Sequence, residues 1–107
     1  MYKAVASLRN LQTLYAINNG ISDLTPISGM VELNMLDLAL NDISDVSPLS
    51  DLVNLEILDL DCNYIENIAL LYSLTSLSEL RVRNILSLAS NLSTEIDLYR
   101  LQRQSYT

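Results

Sequence analysis

Three carboxylates, Asp37, Asp59 and Asp61, are the residues of this chain whose types and spacing come nearest to chemistry. Asp37 and Asp59 lie 22 positions apart, and Asp59 and Asp61 two apart. If each sits on a short strand and the strands lie side by side, neighbours are about 4.8 Å apart across the sheet and about 6.6 Å apart along it. Carboxylates at that spacing can hold Ca²⁺ through oxygen ligands or share a proton. Arg81 and Arg83 recur at the same positions one interval later. They supply the plainer reading, in which Arg81 answers Asp59 and Arg83 answers Asp61 as surface ion pairs. That reading assigns no catalytic residue and no metal or cofactor site. The chain has no His, the side chain most used for proton transfer near neutrality. With two Gly it has no phosphate-cradling loop. The single thiol, Cys62, has Asp61 and Tyr64 nearby in the sequence, neither of them the cationic partner that a reactive thiol needs.

What positions these residues is a repeat. Asn19, Asn41 and Asn63 stand 22 residues apart. Residues 8–29, 30–51 and 52–73 align around them without a gap, and 74–95 begins in register and then decays. A fixed period of this size means a solenoid of stacked units. Within a unit, apolar residues occupy positions 1, 4, 7, 9, 14, 17 and 20; in the second these are Met30, Leu33, Leu36, Leu38, Ile43, Val46 and Leu49. Positions 7 and 9 alternate with polar or variable neighbours, which is strand periodicity. Every unit runs the same way, so the strands are parallel, and the remaining residues are the return connection. Pro26 and Pro48 at position 19 exclude a long helix there and favour turns or 3-10 segments. The position-12 Asn carries both donor and acceptor and is suited to satisfy the backbone of adjacent turns. Asp23 and Asp45, with Asn67 as the variant, are placed to serve the next turn.

The units read L-x-x-L-x-x-L-x-L-x-x-N-x-I-x-D-[LV]-x-P-[IL], most cleanly over residues 30–51. This resembles the 22-residue class of leucine-rich repeat, found in bacterial internalins and in a nuclear phosphatase regulatory subunit. The third unit departs from it with Leu70 in place of Pro, and the fourth lacks the Asn and Pro positions. The resemblance implies an α/β fold: a right-handed leucine-rich repeat solenoid, with short parallel strands on a concave face and turn or 3-10 returns on the convex face. The whole of 1–107 is expected to be one domain. It would hold a partial repeat at 1–7, repeats at 8–29, 30–51 and 52–73, a degenerate repeat at 74–95, and a capping helix at about 91–104. Thr94 and Asp97 have capping-box spacing in that helix.

Half the residues are apolar, with neither Phe nor Trp, as suits a core whose columns want one side-chain size. The net charge of −7, from 13 acidic and 6 basic residues, opposes nucleic acid and anionic membrane surfaces. No apolar run approaches the roughly 20 residues that span a bilayer. A single cysteine and the lack of a signal-peptide pattern favour a cytoplasmic setting for the chain as given, and a surface or secreted one if it belongs to a longer protein. Asn91-Leu92-Ser93 matches a glycosylation sequon, a pattern with a high chance rate.

The function expected is therefore protein–protein interaction through the concave sheet, and not catalysis. Tyr15, Ile17, Met35 and Ile57 form its apolar end; Asp37, Ala39, Asp59 and Asp61 its middle; Arg81 and Arg83 its basic end. Exposed apolar clusters of this kind mark contact sites, although single exposed apolar residues are ordinary. The competing expectation is a structural spacer within a longer internalin-like surface or adhesion protein. The first repeat lacks an N-terminal cap, so self-association through its open edge by way of Val5, Leu8 and Leu11 is also expected.

Overall fold

The computed structural model of the protein describes residues 2–83. Four three-residue strands, β1 (Thr13–Tyr15), β2 (Met35–Asp37), β3 (Ile57–Asp59) and β4 (Glu79–Arg81), form one sheet in sequence order. All three pairings are parallel. The register steps by one repeat each time: Thr13 pairs with Met35, Met35 with Ile57, and Ile57 with Glu79. The strands are short because the chain must leave the sheet to return. The ladder outlasts them by a few residues, since Asn18 N–H donates to Ala39 O, Leu40 N–H to Asp61 O and Cys62 N–H to Arg83 O.

The return carries a 3-10 segment in each unit: Thr25–Ile27, Ser47–Leu49 and Ala69–Ser73. Pro26 and Pro48 stand in the first turn of theirs, where a missing N–H costs nothing. The third segment forms without a proline and is longer. Asp23, Asp45 and Asn67 set each of them, their Oδ1 accepting the N–H of Thr25, Ser47 and Ala69 at 2.8–3.0 Å. A fourth segment, Tyr2–Ser7, stacks on the first of these, and the Tyr2 hydroxyl donates to Asp23 O at 2.7 Å. It thus takes the place of the convex return of a preceding unit.

Between sheet and returns lies one core built from the periodic columns. Leu33, Leu36, Leu38, Ile43, Leu49, Leu52, Leu55, Leu58, Leu60 and Leu71 are wholly buried. Each such side chain removed from water stabilises the fold by about 1.5–3 kcal/mol. The first unit is less covered: Leu11 and Leu14 are only partly buried, and Leu8 is half exposed. The capping helix expected over about 91–104, the decayed part of the fourth repeat beyond Arg83 and the sequon at Asn91 lie outside the described residues.

The Asn ladder reaches backward. Asn41 Oδ1 accepts from the N–H of Asn19 and Ile21, both at 2.9 Å, and its Nδ2 donates to Ala16 O, Leu38 O and Ala39 O. Asn63 repeats the pattern one unit later, accepting from Ile43 N–H and donating to Leu38 O, Leu60 O and Asp61 O. Both are buried. Asn19 departs from the expected column: it is exposed and bonds only locally, Nδ2 to Ile17 O.

Candidate functional site: the concave sheet

Side chains at positions 6, 8 and 10 of each unit project from the sheet opposite the core, because alternate residues of a strand face opposite ways. Pairing sets them in rows. Thr13, Met35, Ile57 and Glu79 make one, and Tyr15, Asp37, Asp59 and Arg81 the next. Ile17, Ala39, Asp61 and Arg83 follow where the ladder continues past the strands. The residues expected to share a face therefore do share one.

Their exposure is uneven. Tyr15 and Ile17 are 63% and 44% exposed, whereas Met35, Ile57, Asp37, Ala39 and Asp59 are half-buried by their neighbours. Leu40 and Tyr64, at 52% and 44%, add apolar surface just beyond the strands. Neither is among the residues singled out from the sequence for this surface. Their signal was a large apolar residue at positions 11 and 13, where the other units carry Asn, Cys, Gly or Asp.

The charges are partly spoken for. Arg83 grips Asp61: Nη2 lies 2.6 Å and Nε 3.1 Å from Oδ2, and Arg83 N–H donates to Oδ1 at 2.7 Å. Burial pushes the Asp61 carboxyl up, but the hydrogen bonds and charge of Arg83 outweigh this and hold it below the usual carboxylate range. Arg81 does not close on Asp59 as expected. Its Nε pairs with Glu79 Oε2 at 3.0 Å, on its own strand. Asp37 and Asp59 are left without an ion-pair partner among the described residues. Burial, and then the nearby carboxylates of Asp61 and Asp37, push the Asp59 carboxyl up, against the Asp61 N–H bond and the Arg81 charge.

Asp37 and Asp59 also have a structural task. Asp37 Oδ1 accepts Ala39 N–H at 3.1 Å and Asp59 Oδ1 accepts Asp61 N–H at 3.0 Å, so each ties the amide two residues on. In the fourth unit position 8 is Arg81, which accepts nothing, and Asp61 supplies the acceptor for Arg83 N–H from the neighbouring unit instead. The described residues bring no three metal-ligating side chains together. Nor is any helix among them long and apolar enough to cross a membrane.

One feature of the rim was missed in the sequence. Asn18, Leu40 and Cys62, all at position 11, adopt left-handed backbone with φ of 57–59°. Only Asn18 is of a type that favours it.

A parallel sheet stepping 22 residues per strand, with a backward Asn ladder, 3-10 returns and a core of Leu columns, defines a leucine-rich repeat solenoid. The family model described as leucine-rich repeats in two copies matches residues 9–50 and 31–73, more than half of the chain. The chain belongs to the leucine-rich repeat family. Among solved structures it is similar to an internalin (inlF) of Listeria monocytogenes, at 33% identity and TM-score 0.77, over 79% of this chain and 25% of that one. Internalin C2 of the same organism matches at 33% identity and TM-score 0.76, over 92% of this chain and 42% of that one. A leucine-rich repeat protein of Leptospira interrogans shares the fold at 20% identity, TM-score 0.78, over 95% of this chain and 32% of that one. The chain thus spans a quarter to about two-fifths of the length of these structures. No curated protein matches it. Leucine-rich repeat folds typically serve protein–protein interaction.

Proposed function

We propose that the chain is a protein-binding module whose concave sheet receives the partner. One observation carries this reading: along the row Tyr15–Asp37–Asp59–Arg81 an exposed aromatic ring stands beside two carboxylates that form no ion pair among the described residues. Aromatic side chains are common interface anchors, so a partner places an apolar group against Tyr15, Ile17 and Met35, with Ile57 extending the contact. A basic group of the partner meets Asp37 and Asp59, where charge complementarity mainly sets specificity and association rate. Asp61 and Arg83, already bound to each other, contribute shape at the edge. Nothing in this arrangement assembles a nucleophile with a base, and the proposal includes no catalysis.

Four strands about 4.8 Å apart present a surface below the roughly 800 Å² of a standard partner. The module alone binds weakly and gains from further repeats. The short span relative to the internalin structures favours a second reading, in which these repeats act as a spacer within a longer array.

The test is capture of a protein from the native source, followed by binding kinetics on three variants. Tyr15→Ala should speed dissociation with little change in association. The double variant Asp37→Asn, Asp59→Asn keeps both Oδ1 acceptors and should flatten the salt dependence of association. Ala69→Arg, on the exposed convex 3-10 segment, should do neither. Loss of binding in Ala69→Arg alone would move the site to the convex side.

A further inference from the structure

A second concavity lies beside the N-terminal ends of the strands, away from the rows just described. It is a shallow groove of about 590 Å³ lined by Gln12, Glu32, Asn34, Asn54, Glu56 and Ser76. These residues occupy positions 3 and 5 of successive units, so the groove runs across the repeats. Its polarity is not required by the fold. The polar columns that hold the solenoid are engaged: Asn41 and Asn63 in the ladder, Asp23, Asp45 and Asn67 at the returns. In the groove only Asn54 is so used, its Nδ2 donating to Val31 O at 2.8 Å. The side chains of Gln12, Glu32, Asn34 and Glu56 make no hydrogen bond among the described residues. The backbone of the floor is occupied: Gln12 O takes Asn34 N–H and Met35 N–H, Asn34 O takes Glu56 N–H and Ile57 N–H, and Glu56 O takes Ser78 N–H, Glu79 N–H and the Ser78 hydroxyl. Recognition here falls to side chains.

We propose that this groove binds an extended polypeptide segment bearing lysine or arginine. Side-chain amides present a donor and an acceptor together, as a peptide group does, and Gln12, Asn34 and Asn54 are spaced along the groove to meet one. Among the described residues Glu32 and Glu56 are its only charges, and no basic residue lines it. Both carboxylates oppose a phosphate-bearing ligand. No aromatic ring lines it either, so a sugar or a base has no stacking platform there. Three repeats about 4.8 Å apart match about four extended residues at about 3.3 Å each.

The experiment is an NMR titration of the isotope-labelled chain with a capped pentapeptide of alternating threonine and lysine. A glutamate-for-lysine peptide and spermine serve as comparisons. The lysine peptide should shift the side-chain amides of Gln12, Asn34 and Asn54 with a Kd on the order of 1 mM. The double variant Glu32→Gln, Glu56→Gln should weaken it roughly tenfold, and the glutamate peptide should not bind. Asp37→Asn with Asp59→Asn should leave it unchanged, which separates this surface from the concave one. The proposal is overturned if spermine shifts the same amides as strongly, if the shifts fall on the concave rows instead, or if the lysine peptide does not bind at about ten times the expected Kd.

Discussion

Asn41 holds the backbone of Asn19 across a full repeat. The Oδ1 of the later residue accepts the amide of the earlier at 2.9 Å, while the side chain of Asn19 reaches only its own Ile17 carbonyl. Two residues alike in sequence position thus differ in what they support. Asn41 has the turn of the preceding unit beneath it, with Ile21 N–H and Ala16 O as further partners.

Asn41→Ala should therefore cost about 1–3 kcal/mol, since it leaves buried backbone groups unpaired. Asn19→Ala should cost much less. Urea denaturation of the two variants measures the difference, and equal midpoints would contradict the ladder as the source of stability.

At the rim, Leu40 sits at φ 58° with its side chain half exposed. Left-handed backbone costs an ordinary residue roughly 1–2 kcal/mol, less for Asn. Leu40→Asn should raise stability by a few tenths to about 1 kcal/mol. A lower melting temperature would show that Leu40 is held by packing that outweighs its strain.

Asp59 and Asp61 should respond to pH with opposite signs. The folded pKa of Asp59 is raised, so its ionisation opposes folding; the stability present at low pH is lost as pH rises through that raised value. The folded pKa of Asp61 is lowered, so its contribution is present above the unfolded value and lost as pH falls through the folded one. At pH 7, Asp59→Asn should melt higher than the parent and Asp61→Asn lower, with both differences shrinking toward the acid side. Thermal melts across that range test the pair.

The Tyr2 hydroxyl is pushed up to about 12 by its burial and by the charge of Asp23. Unfolded tyrosine ionises near 10. Between these values the unfolded chain loses the proton first, so stability falls as pH rises through the window. Tyr2→Phe should remove that alkaline loss at the cost of the bond to Asp23 O. Absorbance titration near 295 nm, alongside melts above pH 10, reads both.

The repeat made the strands, their register and the Leu columns legible, because period alone places like residues in line. The turn-setting roles of Asp23, Asp45 and Asn67 followed from their spacing to the next segment. Two parts of the candidate site did not follow. Arg81 could reach Asp59 across the strands or Glu79 along its own, and residue types do not choose between rotamers of similar reach; it pairs with Glu79. The left-handed position 11 carries Leu40 and Cys62 in place of Gly, so no residue type announced the backbone there. The groove at positions 3 and 5 was equally silent, since Gln, Asn, Glu and Ser on a surface look like ordinary solvation until the fold sets them side by side.

The backward reach of the Asn side chains gives the solenoid a direction. As a chain leaves the ribosome, residues 8–29 can collapse before Asn41 has emerged, yet the amides of Asn19 and Ile21 have no side-chain acceptor until it does. Each unit is thus finished by the one made after it, and assembly runs one repeat behind synthesis. In the mature protein the same asymmetry ranks neighbours: loss of a unit strips the one before it of its closing bonds, whereas the Asn of the one after it keeps the carbonyls of its own unit as partners. Fraying should then travel toward the N-terminus more readily than away from it.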